Sequence, residues 1–370
     1  MTPMKILPAF LVCAVLLGCP GPAPTVDAGT LDSGTPSDGG YTCTTEVIDG
    51  DAGAKIVSFI SLDLDSTGAP HVAYYDNAKS TLRYASHTAS GWTTTLVTTQ
   101  GNGGSLMTLK LDAAGKARIS YYNSTAVAVM YASNATGTFV TEEVAKDTGS
   151  NSLALDGTGA PRIALASNGI VKWLKLATRT GTTWTLTDID AVGPASQPSL
   201  AIDAAGKNHV SWYDLTVGSL KYATDATGTW VLTTVDAAMV GGGSSLKLDA
   251  NGKVHITYGD SGNKRVKYAT NVSGTFVAIT IDAAGPANLG GETSLAIDPA
   301  GKLYLTYYQD VVRDLGYATN RSGTWAAIPL VAGANDYGYA HAMAIDAARD
   351  RLHAAFSDRT TGGYGYVICQ

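Results

Sequence analysis

The chain is poor in charge, in cysteine and in glutamate. Asp, Glu, Lys and Arg make up 15% of its 370 residues, where an ordinary soluble domain carries about a quarter. What charge there is leans acidic: 25 Lys and Arg stand against 31 Asp and Glu, a net charge of -6. A binder of phosphate backbones needs a basic face, so this balance argues against nucleic acid as a partner. Apolar residues run together at length only over 6–17, and no later run is long enough to span a membrane. Helix-period segments are missing, and 42 Gly work against long helices. Glycine, tyrosine and short β-branched stretches fill the chain instead.

The first residues are an address. Lys5 precedes the apolar run ILPAFLVCAVLL, the pattern of an export signal. The run ends in Leu16-Leu17-Gly18-Cys19, which resembles the lipobox of bacterial lipoproteins. That resemblance implies removal of residues 1–18 and a lipid on Cys19. Pro20, where an inner-membrane retention signal would have Asp, implies the outer membrane or cell surface. Residues 20–40 (PGPAPTVDAGTLDSGTPSDGG) have almost nothing to bury and read as a disordered tether. The expected organisation is a signal at 1–18, a lipidated cysteine and tether at 19–40, and a folded body at 41–370 that meets the membrane through lipid alone.

One phrase recurs through the body. SLAIDAAGKNHVSWYDLTVGSLKYATDATGTWVLTTVD at 199–236 is followed by close copies at 245–282 and 294–331. The Asp that ends each SLxxD phrase falls at Asp65, Asp112, Asp156, Asp203, Asp249, Asp298 and Asp346, with spacings of 44 to 49 residues. Each copy holds four short β-type segments, such as SLAID, HVSWYD, LKYAT and WVLTTVD. The first joint is Asp-x-x-Gly, where Asp accepts from the backbone just after it and Gly takes a left-handed position; the third, ATGTW or VSGTF, also closes on Gly. The period and the four hairpin-linked strands predict an all-β fold: a seven-bladed β-propeller with four-stranded antiparallel blades.

The chain ends predict how the ring closes. The last copy stops after its third strand, YGYVIC, at Gln370, while TCTTEVID at 42–49 reads as an orphan fourth strand. An amino-terminal strand completing the last blade removes the open sheet edges, and a monomer is expected. Outside the signal and Cys19, the cysteines are Cys43 and Cys369. Aligned on interior copies, they face each other across the third hairpin to within one residue. A disulfide there suits an exported protein.

LKLDANGKVHITYGDSGNKRVKYA at 246–269 resembles an NHL repeat, and the pattern LxxDxxGxxHVxYYD…LxYA…GxW over 59–368 resembles bacterial propellers related to sialidase-type BNR repeats. Here the Gly stands closer to the aromatic than in the Asp box of that family, as in Gly228 to Trp230. The resemblance implies the propeller. Sialidase chemistry would need an arginine triad, a Tyr–Glu nucleophile pair and an Asp acid, and none can be assigned: the few Glu are Glu46, Glu142, Glu143 and Glu292, and the Arg share no position. A GxSxG elbow, an HExxH helix and a phosphate-binding Gly-Lys loop are also missing. No catalytic residue, metal or cofactor is assigned.

Alternating strands sort the joints onto two faces. DxxG and GxW hairpins share one, and their sequence is constant. The joints after strands two and four share the other, and there the copies diverge: DNAKST, NSTAVAV, SNGI, DLTVGS, GDSGNKR, QDVVRD and DRTTGG after strand two, with QGNGGS, GPASQP, GGGS and GPANLGG among the strand-four joints. Recognition belongs on the varied face. The recurrent polar group near it ends strand two: Tyr75-Asp76, Tyr122-Asn123, Tyr213-Asp214 and Tyr308. Aromatic rings stack on sugars, and a carboxylate or amide binds hydroxyls, so these seven residues are the candidate ligand contacts. The competing reading is that the Tyr pack between blades and the Asp cap turns. His71, His209, His255 and His353 sit on separate blades, too far apart for a metal site.

Three functions fit this reading. The first is a lipid-anchored cell-surface propeller binding a glycan or protein partner through its varied face. The second is an exported hydrolase or lyase of the sialidase-like superfamily, and the third a non-catalytic scaffold in an envelope complex. Fold alone selects none of them.

Overall fold

A computed structural model describes residues 41–50, 59–99, 103–167, 172–191, 193–237, 240–260, 262–282 and 293–370. The signal, the tether, all of GPANLGG and parts of other varied-face joints, QGNGGS, SNGI and GDSGNKR among them, lie outside the described residues. The rest forms seven antiparallel sheets of four strands. Blades one to six span 60–98, 103–146, 148–190, 195–236, 240–282 and 294–331, each laid out in chain order. Blade seven takes Tyr337–Asp346, Arg351–Asp358 and Gly363–Cys369 from the carboxyl end, and its outermost strand is Cys43–Asp49. The amino-terminal strand closes the ring as the chain ends predicted.

The closure is stapled. Cys43 and Cys369 are direct partners in the register of the two strands, one place tighter than the alignment of copies suggested, and they are disulfide-bonded with Cα atoms 4.0 Å apart.

The core lies between blades. Val72, Ile119, Ile163, Val210 and Ile256, one from the second strand of each of blades one to five, are wholly buried, and each fully buried aliphatic side chain of this kind stabilises by about 1.5–3 kcal/mol. The GxW aromatic is a wedge between blades: Phe139, Trp184, Phe276, Trp325 and Trp92 meet Tyr84, Tyr131, Tyr222, Tyr268 and Tyr366 of the preceding blade at 5.1–5.6 Å. Such pairs add about 0.5–1.5 kcal/mol beyond burial.

The serine of SLxxD has a separate task. An innermost strand has one open edge, and its amide hydrogens need acceptors. Ser61 Oγ accepts from the amide of Leu109 in the next blade at 2.9 Å. Ser152, Ser199, Ser245 and Ser294 accept in the same way from Leu200, Leu246, Leu295 and Met343, at 2.9–3.1 Å. The serine ties each inner strand to its neighbour, one repeat further along the chain.

Candidate functional site

On the constant face every carboxylate is engaged. Asp203 Oδ1 accepts from the amides of Ala205 and Lys207 at 2.9 and 2.8 Å, while Gly206 holds φ +77°. The same turn occurs at Asp65, Asp112, Asp156, Asp249 and Asp298. Burial would raise the Asp203 carboxyl, but the Lys207 amide and the His209 ring outweigh it and hold it below the usual carboxylate range. His209 and His255 take Tyr222 and Tyr268 on Nδ1 at 2.6 Å, His353 takes Tyr366 at 2.5 Å, and His71 pairs with Tyr84. Burial lowers the three rings of His209, His255 and His353, the last to about 4. They are neutral and held by tyrosine within single blades; His209 and His255 also stand 3.4 and 3.5 Å from Asp203 and Asp249, whereas His353 Nε2 has no hydrogen-bond partner among the described residues.

Two inter-blade clamps stand on the outer side of that face. Glu142 receives Arg179 through Nε and Nη2 at 2.7 and 3.1 Å and Trp184 Nε1 at 2.9 Å, beside a cleft of about 250 Å³. Glu46 receives Trp92 at 3.0 Å and His87 at 2.9 Å. The carboxylates are saturated by protein donors, so these groups act as fasteners between blades.

The seven candidate contacts lie at the varied face, spread over blades one, two, four and six. Their polar ends are largely occupied. Asp76 is wholly buried and accepts from the amide of Lys79 at 3.0 Å; Asn123 accepts from Thr125 and Ala126 at 3.0 and 3.1 Å. Asp214 accepts from Thr216 at 2.8 Å and pairs with Lys221 Nζ at 2.5 Å. Burial would raise its carboxyl, yet the Lys221 and Thr216 bonds hold it low. Tyr122 and Tyr213 are half-buried, and Tyr75 and Tyr308 are buried. The aromatic before each of them, such as Tyr74, Tyr121, Trp212 and Tyr307, is fully buried between blades. These loops are held rigid from beneath while their tips stay apolar and open: Leu215, Val217, Val311 and Val312 are all more than half exposed.

Tyr308 belongs to a group that the sequence reading did not assemble. Its hydroxyl donates to Asp336 Oδ1 at 2.9 Å, and its ring meets Tyr339 edge-on at 5.6 Å. The Arg359 guanidinium lies over the Tyr339 ring at 4.3 Å and 3.5 Å from Asp336 Oδ2. Burial, then the Asp336 bond and charge, pushes the Tyr308 hydroxyl well above its ordinary value. The Arg359 amide donates to the Asp336 carbonyl, and the Asp336 amide donates to Thr360 Oγ1, both at 2.9 Å, so the two loops are locked together. Tyr339, Asp336 and Arg359 are half-buried. Tyr308 is buried beneath the group and supports it; the Tyr339 ring, the Asp336 carboxylate and the Arg359 guanidinium are the parts that can hold a ligand rich in hydroxyls. GANDYGY at 333–339 is the one strand-four joint that carries tyrosine, the signal that could have pointed here.

No protein-family model and no curated protein sequence matches the chain. Solved structures do. An Aleuria aurantia lectin in complex with Fucα1-6GlcNAc is 15% identical, with 75% of this chain and 97% of that chain covered and a TM-score of 0.53. An ulvan lyase, a polysaccharide lyase bound to -[GlcA(1-4)Rha3S]-, is 13% identical over 82% of this chain and 90% of its own, at a TM-score of 0.60. A Hadza microbial sialidase is 10% identical over 88% and 68%, at 0.51. At these identities the likeness is one of fold: the chain is a seven-bladed propeller similar to lectin, lyase and sialidase propellers.

Proposed function

We propose that the protein is an exported, lipid-anchored propeller that binds a glycan on its varied face without turning it over. The observation that carries this reading is the half-buried group Asp336, Tyr339 and Arg359, held from beneath by buried Tyr308, with the Tyr339 ring for a sugar C–H surface beside charged partners for hydroxyls. Tyr122 and Tyr213, each half-buried and backed by a capped loop, add contacts on blades two and four. Rigid loops bind with little ordering cost. Three propellers of similar fold whose names include a lectin, a polysaccharide lyase and a sialidase support a saccharide as ligand. The lipobox-like Leu16-Leu17-Gly18-Cys19 supports the anchor, and with it the cell surface or outer membrane.

A glycan array probed with the full chain tests this. Binding to a defined saccharide set is expected, abolished by Tyr339→Ala, weakened by Tyr213→Ala and unchanged by Asp203→Ala, which lies on the other face. Absence of array binding together with turnover of a fluorogenic glycoside panel would replace this reading with the sialidase-like enzyme. Silence in both assays would leave the scaffold.

A further inference from the structure

The seven first strands line a central channel whose cavity volume is about 330 Å³, at the small end of ligand sites (about 300–1,000 Å³). Its wall is layered because corresponding residues of each blade stand at the same height. One layer is the SLxxD serines of blades one and three to six, with Thr108 in blade two and Ala342 in blade seven. Their oxygens already accept backbone amides from the next blade, and among the described residues no acceptor takes their own protons. Those hydroxyls remain free to donate into the lumen.

Two residues along each strand, the next layer is where the blades stop agreeing. Blades three, four, six and seven carry Ala154, Ala201, Ala296 and Ala344, whereas blades one, two and five carry Asp63, Lys110 and Lys247. Blades two and five stand nearly opposite in the ring, and the alanines leave both lysines room to extend into the space between them. Asp63 is already committed: Oδ2 accepts from the Leu111 amide at 2.9 Å, and Oδ1 is 3.9 Å from Lys110 Nζ. Lys247 has no hydrogen-bond or ion-pair partner among the described residues. Repulsion from Lys110 and then burial pull its ammonium down to about 8, against the attraction of Asp63. Two ammonium groups sharing one carboxylate in the channel leave a positive charge unanswered.

We propose that this channel is an oxyanion site, in which a sulfate- or phosphate-like group, free or carried on an acidic saccharide, bridges Lys110 and Lys247 and accepts from the serine-layer hydroxyls. The site is separate from the glycan surface and stands whether or not that surface binds sugar. Lysine supplies point charges at adjustable reach, and hydroxyls add donors without further charge, a pairing suited to a compact oxyanion.

The test compares thermal unfolding of the full chain in sodium sulfate, sodium phosphate and sodium glucuronate against sodium chloride at equal ionic strength. Sulfate or phosphate should raise the midpoint at millimolar concentration beyond chloride, and isothermal titration should give one site per chain. Lys110→Ala and Lys247→Ala each copy the residue of four other blades, so the fold tolerates them, and each should weaken binding at least tenfold. Glucuronate behaving like sulfate, with the same dependence on both lysines, would support the site and identify an acidic sugar as a source of the anion. Amine labelling at pH 8 gives a second readout: Lys247 should react early in chloride and be protected in sulfate. An oxyanion response equal to that of chloride, or one retained by both lysine variants, would overturn the proposal.

Discussion

The two faces of the ring solve the same turn problem with different residues. On the constant face the left-handed positions are glycines, Asp350 of blade seven excepted: Gly68, Gly115, Gly159, Gly206, Gly252 and Gly301 in the DxxG hairpins, at φ +70° to +81°. On the varied face the left-handed positions fall largely on residues with side chains, among them Leu106, Val127, Gln197, Lys264 and Arg313, at φ +50° to +63°. A side chain there strains the backbone, by roughly 1–3 kcal/mol per site. The strain is held in place by bonds between blades: Asn151 Nδ2 donates to the Leu106 carbonyl at 2.5 Å, and Gln197 Oε1 accepts from the Gly243 amide at 2.8 Å. One face is built to be inexpensive to fold. The other gives up stability to present particular side chains, the pattern expected where a fold carries a site.

Perturbations of the constant face should therefore register in stability and leave binding alone. The largest should come from the staple. Cys43 and Cys369 are 326 residues apart, and by the chain-entropy model a loop of that length stabilises by about 6 kcal/mol. Cys43→Ser and Cys369→Ser should lower the unfolding midpoint equally, and the double variant should be no worse. Additive losses would mean the two cysteines act separately.

Acid should act next, through the buried His–Tyr pairs. The His209, His255 and His353 rings bind a proton less readily in the fold than in the unfolded chain, whose imidazoles titrate at about 6.5. Stability is thus complete above that value and is lost as pH falls toward about 4, where His353 itself titrates in the fold. The Asp203 type of carboxyl, held below its usual range, carries the loss to lower pH. Denaturant titrations at stepped pH should show the decline begin below about 6.5, and His353→Gln should flatten part of it.

Asp203→Ala removes the acceptor of two amides and one imidazole and should cost about 2 kcal/mol, with saccharide binding unchanged. The smallest effects should have opposite signs. Gly206→Ala meets no close neighbour, so it should lose only the left-handed backbone cost of about 1 kcal/mol. Val127→Gly releases a branched residue at φ +51° and should gain up to about 1 kcal/mol. Equal signs in equilibrium unfolding would remove the contrast between the faces.

How much of this the sequence discloses depends on how far apart the partners lie. DxxG turns join residues two to four apart and can be read from one copy. Blade number, ring closure and the Cys43–Cys369 pair follow from comparing copies. The serine bonds and the aromatic wedges link one copy to the next, Ser61 to Leu109 across 48 residues, so the motif shows the residue without its purpose. The group around Tyr308 is harder still. Tyr308 and Asp336 are 28 residues apart, and Tyr339 and Arg359 sit in non-repeating joints, so periodicity, which locates every scaffold residue, is blind to them. The Tyr-Asp endings stood out because they recur, and Asp76, Asn123 and Asp214 owe that recurrence to capping the loops beneath the surface.

Amide hydrogen exchange of the full chain, with and without a saccharide taken from the array, tests the division between faces most directly. Protection should gather in the joints at 214–219, 309–314, 332–339 and 358–363, while the DxxG hairpins at 203–207 and 249–253 exchange at unchanged rates. Protection centred on those hairpins, or on the cleft beside Glu142 and Arg179, would place recognition on the constant face and contradict the division of labour.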